Sequence, residues 1–253
     1  MPTQVPRNAL EAVFFAEAQA YLRSLPLEHF MESIGQSTQR KITVESLDLV
    51  QERRPKVQVF SELLVQYRLP DEEKIRQIVP DNMVVIHNEP IEADVSFDLP
   101  LQPVRPFWVL EYVSKNSKRK DFETNLKKYE QELKVPYYLH FYPQVQELSL
   151  FHLKPRARRY KTVLPNERSR YAIPELDLEL AILDGWVRYW YHGELLPLPG
   201  ELQRQLDEAR RQLREAVASA RKQLAEAQQQ LKEEQEARQA LQREIERLRR
   251  RSG

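Results

Sequence analysis

The 253-residue sequence contains no cysteine, which excludes a disulfide framework, a thiolate nucleophile and any zinc site built on sulfur. Glycine is nearly as scarce, at five residues, and none of them forms a glycine-rich phosphate loop. His29, His87, His140, His152 and His192 show no paired ligand spacing and read as ordinary surface or strand residues. No apolar run approaches the ~20 residues needed to cross a bilayer. The opening stretch MPTQVPRNALEAVFF lacks the charged-then-apolar order of a secretion signal, so a cytoplasmic protein that does not engage membranes is expected. A formal net charge of only +1 means that bulk charge does not mark a nucleic-acid binder.

Charge and proline are unevenly placed. Residues 201–253 carry 13 Lys+Arg and 10 Asp+Glu, so the preceding region is slightly acidic. That region nevertheless holds two basic clusters. One comprises Lys115, Lys118, Arg119, Lys120, Lys127 and Lys128, and the other runs from Lys154 through Arg156, Arg158, Arg159 and Lys161 to Arg170. Either cluster is a solvated face or a track for a nucleic-acid backbone, with Lys115, Lys118, Arg156, Arg158 and Arg159 as the candidate contacts. None of the 17 prolines lies beyond Pro199, which makes Pro197–Gly200 a boundary between a folded region and an uninterrupted helical pattern.

Apolar periodicity predicts helices over Asn8–Leu25, Gln36–Val50 and Lys118–Leu133. Strands are expected at Val57–Tyr67, Asn82–His87, Phe107–Val113, Tyr137–Tyr142, Glu147–Leu153, Arg159–Val163 and Gly185–Tyr191. Trp186, Tyr189, Trp190 and Tyr191 could stack bases, although alternating aromatics in a strand more often belong to a core or its rim. The element order implies an α+β protein with a mixed sheet flanked by helices. Its divisions are an N-terminal helical segment (1–35), a main domain (36–196) and a C-terminal helix (201–253).

In the tail, apolar residues recur at Leu206, Ala209, Leu213, Val217, Ala220, Leu224, Ala227 and Leu231, then at Leu241, Ile245 and Leu248. The steps alternate three and four except for one stutter around Leu213, and Glu234 and Arg238 occupy the seam between the two runs. A helix of this length extends roughly 75 Å at ~1.5 Å per residue. With one narrow apolar stripe it gains stability from a partner helix, so a coiled-coil homodimer is expected. The alternative is a single charged helix held by Glu–Arg pairs.

Glu111 stands in the apolar strand FWVLEYV, where an unpaired carboxylate costs several kcal/mol. Asp81 directly follows Pro80, at the start of the strand NMVVIH. If the two strands are neighbours, the carboxylates converge and repel unless a cation lies between them. Two hard oxygen ligands suit Mg²⁺ (or Mn²⁺), which can lower the pKa of a water and stabilise a phosphoryl oxyanion. That is a recipe for phosphodiester hydrolysis, with the basic residues after Glu111 supplying phosphate contacts.

Pro80-Asp81, Glu111 with Ser114, the series Asp121, Asn125 and Tyr129, and the run VPYYLHFY occur in that order between Gln36 and Leu153. This pattern resembles the Uma-two family of restriction endonucleases, of the PD-(D/E)XK nuclease-like fold. The resemblance implies a restriction-endonuclease-like core of strands flanked by helices, Asp81 and Glu111 as metal ligands, and a nucleic acid, taken as DNA, as substrate. It also implies a catalytic lysine, which the sequence lacks at both usual places. Two residues after Glu111 stands Val113, and the helix position in step with Tyr129 is Asn125. Lys128, three residues on and on the same helical face, is the candidate substitute, so the catalytic set comprises Asp81, Glu111, Asn125 and Lys128. Two readings stay open: a metal-dependent endonuclease, and an inactive nuclease-fold scaffold that oligomerises through its coil.

Overall fold

The computed structural model describes residues 8–26, 33–113 and 119–251. The chain divides into two compact units, Met1–Leu198 and Pro199–Gly253. The first is an α+β assembly of three sheets with helices on both faces of the largest.

Two helices open the chain. Helix α1 (Ala9–Ser24) is capped by Asn8, whose side chain accepts the Glu11 N–H. Helix α2 (Ile34–Arg53) is capped by Ser33, whose hydroxyl accepts the Gln36 N–H at 3.2 Å. The strand expected over Val57–Tyr67 is two strands, β1 (Val57–Ser61) and β2 (Leu64–Tyr67). Glu62, with φ 49°, turns the chain between them, so they enter different sheets. Strands β3 (Arg76–Ile78), β4 (Asn82–Ile86), β5 (Ser96–Asp98) and β6 (Trp108–Tyr112) follow.

Helix α3 (Arg119–Lys127) runs into a π-helical turn (Lys128–Leu133), closed by Lys134 in the left-handed region (φ 51°). Then come β7 (Tyr137–Tyr142), β8 (Glu147–His152), β9 (Lys161–Thr162), β10 (Tyr171–Ile173), β11 (Leu178–Leu183), β12 (Trp186–Tyr191) and β13 (Glu194–Leu195). The strand expected over Arg159–Val163 contracts to the two residues of β9, because Tyr160 turns away to bond Glu130 and the Val135 carbonyl.

The main sheet has the order β1-β4-β6-β7-β8-β9, antiparallel except for the β6–β7 pair. Parallel neighbours need a crossover, and α3 with its π turn lies on that connection. Because side chains alternate along each strand, the sheet presents two apolar faces. Val57, Val84, Trp108, Leu110, Leu139 and Phe141 pack towards α2 and the sheet β10-β11-β12-β13. Met83, Val85, Val109 and Tyr138 pack towards Tyr129 and Leu133 and the sheet β3-β2-β5.

Buried polar groups pin α2 in place. The Gln39 side-chain oxygen accepts the Val187 N–H at 2.9 Å, and Thr43 shares a 2.8 Å hydrogen bond with the Tyr189 hydroxyl. Satisfied bonds of this kind fix a helix's axial position, which apolar packing does not. The aromatic cluster of β12 belongs to this packing: Tyr189 meets Trp108 edge-on, and Arg170 covers the Trp190 ring.

The second unit is a single helix, α4 (Pro199–Arg251). Leu206, Leu213, Val217, Leu224, Leu231, Leu241 and Ile245 are all exposed along it. No helix among the described residues is long and apolar enough to cross a membrane.

Ending the chain at Leu198 should leave the first unit folded, because its core closes with Leu196 and Leu198. Its Tm is expected to stay within about 2 °C of the full chain's. Loss of a cooperative melt would show instead that the helix belongs to the fold of the first unit.

Candidate metal and nuclease site

Asn82 pairs with Leu110 and Met83 with Val109 across the antiparallel β4–β6 ladder. One further step of that register sets Asp81 opposite Glu111, at the edge where both strands leave the core. On the other side of β6, Glu111 pairs with His140 of β7. Asp81, Glu111 and His140 therefore lie in a row on the sheet face that carries Met83, Val109 and Tyr138. The neighbourhood expected from sequence is present.

Each carboxylate is held by neutral donors. The Tyr112 backbone N–H donates to Asp81 Oδ2 at 2.5 Å, and Gln36 Nε2 donates to Asp81 Oδ1 at 2.7 Å. The Tyr129 hydroxyl donates to Glu111 Oε1 at 2.7 Å. Burial pushes the Asp81 carboxyl up to about 6 against the pull of Tyr112 and Gln36, with the charge of Glu62 pushing the same way as burial. Glu111 is raised well above the ordinary glutamate value, first by burial and then by the charge of Asp81. The two carboxyls are close enough to share a hydrogen bond when one is protonated. Among the described residues, the groups with the largest effect on this pair include no lysine or arginine. A like-charge pair held by neutral donors carries an electrostatic cost that a hard cation would relieve.

Tyr129 is placed by an irregularity. It lies within the π turn and is fully buried against Tyr138, with ring centroids 4.8 Å apart. Widened turns of this kind are frequent at functional sites. Asn125, one helical turn before Tyr129, is half-buried on α3. Lys128 points elsewhere: its Nζ donates to the Gln77 carbonyl at 3.0 Å, and burial lowers its pKa. His140 is enclosed by Tyr138, Tyr142 and Phe151, and burial takes its pKa down to about 3, so the ring is neutral.

The remaining sequence candidates are less central. Lys115 and Lys118, with Ser114, lie outside the described residues, as does the side chain of Asp121. Arg156 and Arg158 are exposed in the turn between β8 and β9. Arg159 there forms a 3.0 Å ion pair with Glu130, a residue of the π turn. No group of three or more Asp, Glu, His or Cys suited to a metal occurs among the described residues.

Two participants escaped sequence reasoning. Gln36 reads there as an ordinary helix-start residue, and nothing local announces a bond to a residue 45 positions away. Gly35 is the other. A Cβ at Gly35 would overlap the Tyr112 hydroxyl, so glycine leaves room for the Tyr112 side chain against the first turn of α2.

Comparisons with known proteins give the family of the chain. The family model described as "Uma2: Putative restriction endonuclease" matches residues 32–184. The chain belongs to this family. A search of curated proteins gave no match. Among solved structures the chain is similar to a protein from Anabaena variabilis described as a "putative nuclease belonging to DUF820". The two share 17% identity over 62% of this chain and 82% of that one, with a TM-score of 0.46. The matched family span contains both carboxylates, the Gln36 and Gly35 contacts, the π turn and β7, and ends before the last strands of the first unit.

Raised carboxyl pKa values make the folded state bind protons that the unfolded chain releases, so stability falls as pH rises between the two values. For Asp81 that window runs from about 4 to about 6. The metal-free Tm should therefore carry a component that declines through pH 4–6, and Asp81→Asn should flatten it. An identical pH profile in the variant would mean that Asp81 is not under this strain. Independently, Gly35→Ala should cost about 1–3 kcal/mol by overpacking, and adding Tyr112→Phe should restore most of it. Failure of that rescue would show that the hydroxyl contact is not the cause.

Proposed function

We propose that this Uma2-family chain is a metal-dependent endonuclease that hydrolyses phosphodiester bonds of nucleic acid, DNA first, with Asp81 and Glu111 holding Mg²⁺ or Mn²⁺. The observation that carries the reading is the pairing of two strained carboxylates on adjacent strands, steadied by the neutral donors of Gln36, Tyr112 and Tyr129. The donor set fits a hard cation in type and charge, with water or phosphate oxygens completing the coordination shell. Bound there, the ion would lower the pKa of a water and offset charge building on a phosphoryl oxygen.

The chain's own residues have separable roles. Gln36 and the Tyr112 N–H fix the direction of the Asp81 lone pairs, and Tyr129 does the same for Glu111. The exposed Arg156 and Arg158 offer positive charge to a phosphate backbone, on the strand connection that packs against the π turn through Tyr160.

A second reading has its own support. Lys128 is committed to the Gln77 carbonyl, and Asn125 cannot supply a positive charge. In this reading the site binds metal without cutting, and the protein serves as a scaffold paired through α4.

One set of measurements separates the two. At a hundredfold excess over Kd, Mg²⁺ or Mn²⁺ should add ~2.7 kcal/mol to stability, a Tm rise of roughly 5–10 °C for a unit of this size. Glu111→Gln should abolish that rise and raise the Tm of the metal-free protein, because the repulsion between carboxylates is gone while the glutamine oxygen still accepts from Tyr129. Metal-dependent nicking of plasmid DNA, lost in Glu111→Gln, is the result expected of the nuclease. A metal-induced Tm rise with intact DNA and RNA would establish the scaffold. No metal response, together with a destabilised Glu111→Gln, would retire both.

A further inference from the structure

We infer that α4 pairs with α4 of a second copy of this chain in antiparallel orientation, in a register centred on residue 236. This deepens the coiled-coil reading and is independent of the chemistry at Asp81 and Glu111.

The seam residues of the C-terminal half of α4 fall into two interleaved sets. Val217, Leu224, Leu231, Arg238 and Ile245 form one, and Ala220, Ala227, Glu234 and Leu241 the other, with alternating steps of three and four. Leu224, Leu231, Leu241 and Ile245 are exposed along the helix. Two charged residues interrupt it, Glu234 and Arg238, and they form an i,i+4 pair at 3.2 Å.

Orientation decides what these two residues meet. In a parallel pair each seam position faces its own copy, so Glu234 meets Glu234 and Arg238 meets Arg238. Two successive layers would then hold like charges inside the interface, which is costly. In an antiparallel pair the two sets face each other. Centred on residue 236, that register places Glu234 against the partner's Arg238 and Arg238 against the partner's Glu234.

The same register also satisfies the apolar layers. Leu231 meets the partner's Leu241, and Ala227 meets the partner's Ile245, setting small against large. Next to the seam pair the flanking residues Gln228, Gln230, Gln235, Ala237 and Gln242 are uncharged, while the charged flanking residues Arg221, Glu244, Arg249 and Arg251 stand about two to four turns away. The seam pair therefore sets both direction and register, the best-attested use of polar residues in a coiled-coil core.

The antiparallel register has a consequence for the nuclease-family units. From Gly200 to the centre of the pair is ~54 Å of helix, so the two points of attachment stand about 110 Å apart. A separation of that size spans about 30 base pairs of straight duplex.

The absence of cysteine allows a direct test by site-directed spin labelling. Lys222 lies on the outer face of the helix, in a long 3.9 Å contact with Glu226, and its replacement leaves the seam intact. The full chain carrying Lys222→Cys with a nitroxide is measured by double electron–electron resonance. The register centred on residue 236 gives a label-to-label distance of about 45 Å. A distance near ~20 Å would establish a parallel pair and overturn the orientation. No dipolar signal, with a monomer in sedimentation at the same concentration, would overturn the pairing itself. Each result leaves the metal-binding test of Glu111 unaffected.

Discussion

Two converging carboxylates impose the main constraint on the first unit. Asp81 and Glu111 are brought together by the β4–β6 register and held by an amide N–H, a glutamine amide and a tyrosine hydroxyl. None of these donors neutralises charge, and burial raises both carboxyl pKa values. A pair evolved only for stability would be better served by an arginine, or by apolar residues of similar volume. The arrangement is that of a strained pair whose electrostatic cost a cation would relieve.

The surrounding fold keeps that geometry from relaxing. Helix α2 is locked between two sheets by the Gln39–Val187 and Thr43–Tyr189 bonds, which fixes where its first turn presents Gln36. Gly35 lets Tyr112 approach that turn, so the strand carrying Glu111 and the helix supporting Asp81 are set in a single contact. On the opposite face the π turn carries Tyr129 beneath Glu111 and also anchors the basic connection through Glu130, Arg159 and Tyr160. Asp81, Glu111 and the residues that orient them are therefore held from both sides of one sheet, which preorganises the pair.

Much of this was legible in the sequence, for identifiable reasons. A glutamate in an apolar strand and an aspartate at the head of another carry a local signal, and the order of the motifs around them was enough to place the family. The helices followed from periodicity. Less visible were contacts set by tertiary packing: Gln36 reaches Asp81 across 45 residues, and the turn at Glu62 that separates β1 from β2 lacks a glycine to mark it. The hairpin of β11 and β12 was signalled by Asp184-Gly185, both with positive φ, yet β11 was missed because LELAIL shows no clean alternation. Lys128 shows the limit of helical-face reasoning. Its spacing from Asn125 suggested the site, but the change from α to π geometry begins at that residue, and its ammonium meets Gln77.

The central claim is that a divalent cation occupies the space between Asp81 and Glu111, and the most direct measurement is a crystal grown with Mn²⁺ at neutral pH, read by anomalous scattering. The expected result is one anomalous peak bridging the two carboxylates, with Gln36 and Tyr129 keeping their bonds to the outer oxygens. Two carboxyls sharing a proton, with no peak between them at saturating Mn²⁺, would contradict it.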